Sequence, residues 1–164
     1  MKYFAGMFVH RIDGKGRTSI PAKFRALLEQ QGGPEMMVFP SYTDGALEAC
    51  SRTFLDEIYE RLQDEDPMGE AMDDLATHLF GSTEALTFDK DGRVVLPPDL
   101  RESINVTDQV AFLGRADRFL IMEPAAAKDL VEQARIRSRE KHRGVLARRR
   151  PAPRTPTRHD DGEE

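Results

Sequence analysis

The sequence is poor in cysteine and has no tryptophan: Cys50 is the single cysteine among its 164 residues. One cysteine excludes an intramolecular disulfide, which is typical of proteins from a reducing compartment. No apolar run approaches the roughly 20 residues that span a bilayer, and no signal-peptide pattern opens the chain. We therefore predict a cytoplasmic protein without a membrane partner, and we expect Cys50, near Leu47 and Phe54, to be a small core residue.

The groups that usually carry catalysis are also missing. The histidines lack metal-ligand spacing, and there is no second cysteine for zinc. Gly14 and Gly16 lie inside an expected hairpin rather than between a strand and a helix, so they do not form a phosphate-binding loop. His10 is near Asp13 in sequence, but we interpret it as a residue on the hairpin face. The sequence predicts no enzyme activity, no metal, no cofactor and no small-molecule substrate.

The net charge of −5 conceals an uneven distribution. Residues 1–25 carry six Lys/Arg and one acid, whereas residues 26–134 carry eight Lys/Arg and 23 Asp/Glu. Residues 135–158 again carry ten Lys/Arg and one acid. An acidic body with two cationic segments indicates an anionic partner that binds to a local surface.

One short pattern occurs twice in the chain. Residues 13–17 read Asp-Gly-Lys-Gly-Arg, and residues 89–93 read Asp-Lys-Asp-Gly-Arg, at an offset of 76. The same offset relates a longer set of positions, namely Asp13 to Asp89, Gly16 to Gly92, Arg17 to Arg93, Ile20 to Leu96, Pro21 to Pro97, Phe24 to Leu100 and Arg25 to Arg101. Such a duplication predicts two copies of one supersecondary unit.

The hydrophobic pattern places strands and helices around each copy. Alternation over residues 8–12 predicts a strand, Lys15-Gly16 a tight turn, and residues 17–20 the partner strand. Further strand pairs are predicted at 36–39 with 46–49 and at 110–113 with 119–122. Helices are predicted after Pro21, Ser51, Pro67, Pro97 and Pro124. We expect a β-rich α+β fold with a first repeat at 5–80, a second at 81–138 and a disordered basic tail at 139–164.

The repeated turn offers a cation on a rigid base. The aspartates are expected to accept amide hydrogen bonds within the turn, and glycine supplies its unusual dihedral angle. Turn geometry does not require the arginine that follows. Its guanidinium suits phosphate oxygens or a guanine edge, and a two-stranded β-ribbon is narrow enough for the major groove. The first copy is crowded with cations and the second is offset by its acids, so we expect the first to supply most of the affinity.

Residues 8–25, together with the degenerate second copy, resemble the opening of the bacterial MraZ proteins. The resemblance covers residues 1 to about 138 and implies a tandem SpoVT-AbrB (swapped-hairpin, double-psi-like barrel) fold with flanking helices. By the motif, Lys15, Arg17 and Arg93 fall on hairpins that contact DNA. Arg11, Lys23 and Arg25 are included as neighbours, and Arg25 alternatively forms a structural salt bridge.

The same resemblance implies a function and an assembly. It implies a nucleoid-associated transcriptional regulator, typically a repressor, that binds direct repeats in double-stranded DNA upstream of its own division and cell-wall gene cluster. It also implies a homo-oligomeric ring, octameric or dodecameric. The alternative is an antitoxin-like protein-binding module, for which the acidic segment 56–74 and the tail are the candidate docking surfaces.

Overall fold

The computed structural model describes residues 2–65, 69–142 and 144–145. The chain divides into two compact units, Met1–Asp129 and Leu130–Glu164. The elements in chain order are β1 (Met7–Arg11), β2 (Arg17–Ser19), α1 (Ala22–Gln30), β3 (Glu35–Pro40), β4 (Ala46–Cys50), α2 (Arg52–Asp64), α3 (Glu70–Gly81), β5 (Glu84–Thr87), β6 (Arg93–Val95), α4 (Pro98–Ser103), β7 (Gln109–Arg115), β8 (Arg118–Met122) and α5 (Pro124–Lys141). The predicted α+β class is confirmed.

The first unit is built on a six-stranded antiparallel sheet in the order β1-β7-β8-β4-β3-β5. The predicted pairs β3–β4 and β7–β8 are confirmed. The sheet also joins the two halves of the sequence, because β1 pairs with β7 and β3 pairs with β5. Strands from both halves therefore lie within this one compact unit, while the repeat boundaries at 80 and 138 stay a prediction about the sequence.

The predicted pairing of residues 17–20 with residues 8–12 is wrong except at the residues next to the turn. One bridge joins Ile12 to Thr18, and β2 then pairs with β6 to form a separate two-stranded ribbon. Strand β1 instead aligns all five of its residues with β7. A three-residue strand carries too little pattern to specify its partner, so the long pairing with β7 decides where β1 lies.

The core gathers apolar residues from both halves. Helix α1 follows Pro21, and its predicted apolar residues Phe24, Leu27 and Leu28 are all buried. The Phe24 ring packs 5.3 Å from the ring of Phe4 and 5.0 Å from that of Phe119, between ring centroids. This aromatic cluster fixes α1, and with it the chain leaving β2, against the sheet.

A second apolar cluster lies beneath α2. Ser51 caps this helix as predicted, since its hydroxyl accepts a 3.1 Å hydrogen bond from the Phe54 amide. Cys50 is fully buried beside Leu55, which confirms it as a core residue. Burial raises the pKa of the Cys50 thiol to about 12, so the thiol stays protonated at neutral pH.

The chain beyond the sheet is helical further than predicted. Helix α5 begins at Pro124, as expected, and runs to Lys141, three residues into the segment predicted to be disordered. Apart from residues 142 and 144–145, the rest of that segment lies outside the described residues, as does Pro67. Within the described residues, no helix is long and apolar enough to cross a membrane.

Replacing Phe24 by Ala should lower the free energy of unfolding by about 3–5 kcal/mol, because the cavity would open in the middle of the aromatic cluster. Chemical denaturation measures this change. Lys23→Ala is the matched control on the same helix, and it should alter stability by no more than about 0.5 kcal/mol since Lys23 is exposed. Equal effects of the two substitutions would contradict this packing.

Candidate nucleic-acid interface

The first repeated turn is closed by its aspartate. The Asp13 Oδ1 atom accepts hydrogen bonds from the backbone amides of Lys15 (3.0 Å) and Arg17 (2.9 Å), and the Gly16 amide donates to the Asp13 carbonyl (3.0 Å). Gly16 has a φ of +83°, a backbone conformation that is strained for any residue with a side chain. The hydrogen bonds to its carboxylate, first from the Arg17 amide and then from the Arg17 side chain, hold the pKa of Asp13 below its ordinary value.

The second turn repeats this geometry bond for bond. Asp89 Oδ1 accepts from the amides of Asp91 and Arg93, both at 2.9 Å, and the Gly92 amide donates to the Asp89 carbonyl (2.9 Å). Gly92 has a φ of +76°. The pKa of Asp89 is likewise lowered, chiefly by the Arg93 amide. The expected turn-forming role of both aspartates is therefore confirmed.

Strands β2 and β6 leave these two turns and pair with each other in antiparallel fashion. Thr18 faces Val94 at the centre of the ribbon, and both are buried. The flanking positions alternate outward, so one exposed face of the ribbon carries Arg17, Ser19, Arg93 and Val95. The structure thus brings together the two arginines that the repeat pattern had singled out, and both line one shallow depression on the surface.

Each exposed arginine is tethered to an aspartate of its own turn. The Arg17 Nε atom lies 2.8 Å from Asp13 Oδ2, and its side chain is 55% exposed. Arg93 is 56% exposed and is shared between Asp91 (Nη2–Oδ2, 3.1 Å) and Asp89 (Nε–Oδ2, 3.7 Å). A guanidinium has five N–H donors. Within the described residues each arginine donates one hydrogen bond to a carboxylate, Arg17 to Asp13 and Arg93 to Asp91, and each keeps further N–H groups for a ligand. Arg93 differs in having a second carboxylate, that of Asp89, at 3.7 Å, which offsets more of its charge.

The other predicted site residues lie in different settings. Lys15 is exposed in the first turn, and Lys23 is exposed in the first turn of α1. Arg11 is exposed at the end of β1, opposite Gln109, where it lines a separate depression with Asp13. The structure does not group these three cations with Arg17 and Arg93 in one depression, and their contact with DNA stays a prediction.

Arg25 differs from the other five predicted residues because it is half-buried against the second turn. A Cβ atom added to Gly92 would lie 1.5 Å from Arg25 Nη1, so the guanidinium lies directly against that glycine. The alternative of a structural salt bridge is not seen, since Arg25 has no carboxylate within 4.0 Å among the described residues.

Sequence reasoning missed two features of this site. Val95, which is 52% exposed, lies opposite Arg17 in the ribbon, and the pairing of β2 with β6 that puts it there could not be deduced from the sequence. Arg101 packs on Gly16 as Arg25 packs on Gly92. The offset of 76 that relates Arg25 to Arg101 was the available signal for this second pair.

The described residues show no arrangement that suggests a metal centre. No group of three or more His, Cys, Asp or Glu side chains among them is placed to hold an ion. The His10 ring lies 5.6 Å from the Phe112 ring, between centroids, which agrees with a packing role on the strand face.

The fold and the two turns define an α+β protein in which one strand from each half of the sequence pairs to form a ribbon that carries two arginines. A family model described as "MraZ protein, putative antitoxin-like" matches residues 79–149. Proteins named Transcriptional regulator MraZ are similar over most of the chain: that of Parvibaculum lavamentivorans is 43% identical over 84% of this chain and 86% of its own, that of Xanthobacter autotrophicus 37% over 90% and 94%, and that of Rickettsia bellii 34% over 86% and 95%. The chain belongs to the MraZ family.

The two turn glycines should respond differently to alanine. In Gly16→Ala the new Cβ would meet the Leu96 carbonyl oxygen at 2.4 Å, and backbone cannot easily yield. In Gly92→Ala it would meet the movable Arg25 side chain. Both positions have a positive φ, so each substitution should lower the unfolding free energy by about 1 kcal/mol or more, as measured by thermal unfolding. The loss should be larger for Gly16→Ala, because its new Cβ also meets backbone.

Gly14→Ala is the matched control in the same turn, because an added Cβ would meet nothing within 4 Å there. Its melting temperature should equal that of the unaltered protein. A Gly16→Ala protein as stable as Gly14→Ala would contradict the close approach of the two strands.

Proposed function

We propose that this chain is a sequence-specific DNA-binding regulator of transcription, which lays the β2–β6 ribbon into the major groove. The observation that carries the proposal is the exposed face of the ribbon, where Arg17 and Arg93 stand on two turns of the same geometry. The names of the MraZ relatives support a role in transcription.

The ribbon has the dimensions and chemistry for direct reading of bases. A two-stranded ribbon fits the major groove, where an arginine can donate two hydrogen bonds to O6 and N7 of guanine. The tether to Asp13 reduces the conformational freedom that Arg17 would lose on binding, since its Nε is already held. Val95, beside Arg17, offers an apolar contact of the kind that a thymine methyl group accepts.

Charge is distributed so that binding should be local. The acidic body repels a polyanion, whereas the first 25 residues carry six cations. Lys15, Lys23 and Arg11 are exposed and are proposed to contact phosphates, which fix the position of the ribbon without reading sequence.

One ribbon offers few contacts, so we propose that affinity comes from repetition. In a ring-shaped homo-oligomer, an octamer or a dodecamer, neighbouring subunits would engage successive direct repeats, and linkage would raise the effective concentration of each contact. Subunits related head-to-tail around a rotation axis match direct repeats rather than palindromes. The proposed DNA sites lie upstream of the protein's own gene, in the division and cell-wall cluster, and binding there would repress transcription. The protein would accordingly be found in the cytoplasm, associated with the nucleoid.

Arg17→Ala should weaken binding to promoter repeats by about 1–3 kcal/mol and relax base preference at one position. Arg93→Ala should have a smaller effect, because that guanidinium is already shared by two carboxylates. Fluorescence anisotropy with labelled promoter DNA measures both.

Arg52→Ala is the matched control for these substitutions. Arg52 is 51% exposed and ion-paired through Nε, as Arg17 is, but it lies on α2 and pairs with Glu35. Its removal should leave DNA affinity unchanged. If Arg17→Ala and Arg93→Ala together also left affinity unchanged, the ribbon would not be the interface and the protein-binding alternative would gain.

Binding should increase steeply with the number of repeats on the DNA. We expect gel-shift titrations to show at least about a hundredfold tighter binding to adjacent repeats than to a single repeat, because only the former engages several subunits. Inserting half a helical turn between repeats should abolish most of this gain. Equal affinities for one repeat and for several would contradict the assembly.

The antitoxin-like alternative has one supporting observation, the wording of the family model's description. Its candidate docking surface, the acidic segment 56–74, corresponds to most of α2 and the start of α3 among the described residues. A small protein that co-purifies in a fixed ratio, and dissociates when this segment is neutralised, would favour it.

A further inference from the structure

Two arginines outside the ribbon each pack on the turn of the other repeat. Arg25 lies against Gly92, and Arg101 lies against Gly16, where an added Cβ would be 2.9 Å from Arg101 Nε. Arg101 Nη1 also donates a 3.4 Å hydrogen bond to the Gly14 carbonyl. Both glycines are buried under these side chains, so each turn uses its missing Cβ to admit a guanidinium from elsewhere in the chain.

The backbone makes the same crossed connection. The Ile20 amide donates to the Gly92 carbonyl (2.9 Å), and the Leu96 amide donates to the Gly16 carbonyl (2.8 Å). Each ribbon strand therefore begins after the glycine of one turn, and the residue that follows the strand is hydrogen-bonded to the glycine of the other turn. The first turn is held by residues of the second repeat, and the second turn by residues of the first.

Neither packing arginine has the surroundings of a DNA contact. Arg25 and Arg101 are half-buried, whereas Arg17 and Arg93 are more than half exposed. Arg101 Nε is buried with no hydrogen-bond partner in the described part of the chain. Burying a nitrogen without a partner costs free energy, so the contact with Gly16, rather than a hydrogen bond, holds the Nε end of this guanidinium.

We propose that Arg25 and Arg101 are crossed positioning residues. Arg25 sets the second turn and thereby the orientation of Arg93, and Arg101 sets the first turn and thereby the orientation of Arg17. Each repeat controls the base contact made by the other. This inference rests on the proposed DNA-binding function, and it removes Arg25 from the residues expected to touch DNA.

Double-mutant cycles on promoter DNA test the crossing directly. Arg25→Ala should weaken binding about five- to tenfold in the unaltered protein and less than about twofold once Arg93→Ala is present. In an Arg17→Ala background, Arg25→Ala should keep its full effect. Arg101→Ala should show the reverse dependence. Its effect on DNA affinity should vanish in an Arg17→Ala background and persist in an Arg93→Ala background.

Two further measurements separate positioning from direct contact. Arg25→Lys retains the charge but not the planar group, so it should behave like Arg25→Ala, whereas a phosphate contact would survive it. The slope of log affinity against log salt should stay unchanged in Arg25→Ala, whereas loss of a phosphate contact would reduce it by about one.

The outcomes also distinguish this inference from the function on which it rests. If Arg17→Ala and Arg93→Ala bind DNA normally, the proposed function fails. If they lose affinity but Arg25→Ala has equal effects in both backgrounds, only the crossed positioning is overturned. Arg25→Gln, which retains much of the side chain, replaces Arg25→Ala in the cycle if the alanine variant does not fold, and circular dichroism decides that choice.

Discussion

The pairing of β2 with β6 is the interaction on which the site depends. Three residues from each half of the sequence align around buried Thr18 and Val94, and the two turn glycines accept the hydrogen bonds that close the ribbon at its ends. So short a ribbon is not stable alone. Helix α1, packed through Phe24, and the exchange of β1 and β5 between the halves hold its ends in place.

Duplication gives this arrangement an approximate local twofold relation, which the charges break. Both turns have the same hydrogen bonds from their backbone amides, but among the described residues Arg17 pairs with one carboxylate and Arg93 with two. An ion pair within the turn orients a guanidinium while partly neutralising it. In the first turn an oriented arginine is surrounded by further cations. In the second turn the arginine is also oriented, but the neighbouring acids leave little net charge. The ribbon therefore presents two arginines that we expect to contribute unequally to DNA binding.

The sequence allowed prediction of features that depend on local chemistry. The aspartate and glycine of each turn, the Ser51 cap and the apolar face of α1 follow from spacings of a few residues. The partner of β2 did not follow, because a three-residue strand with one inward residue fits many partners. Arg25 was grouped with DNA contacts for its charge, and only the fold shows that it packs on Gly92, 67 positions away.

Photo-cross-linking tests the central claim, that the ribbon lies on DNA, most directly. Benzoylphenylalanine would be placed at position 95 on the ribbon and, in a separate protein, at position 59 on α2, since Val95 and Tyr59 are 52% and 53% exposed. With promoter repeats bound, we predict a cross-link to DNA from position 95 and none from position 59. Bound DNA that cross-links from position 59 but not from position 95 would contradict the account.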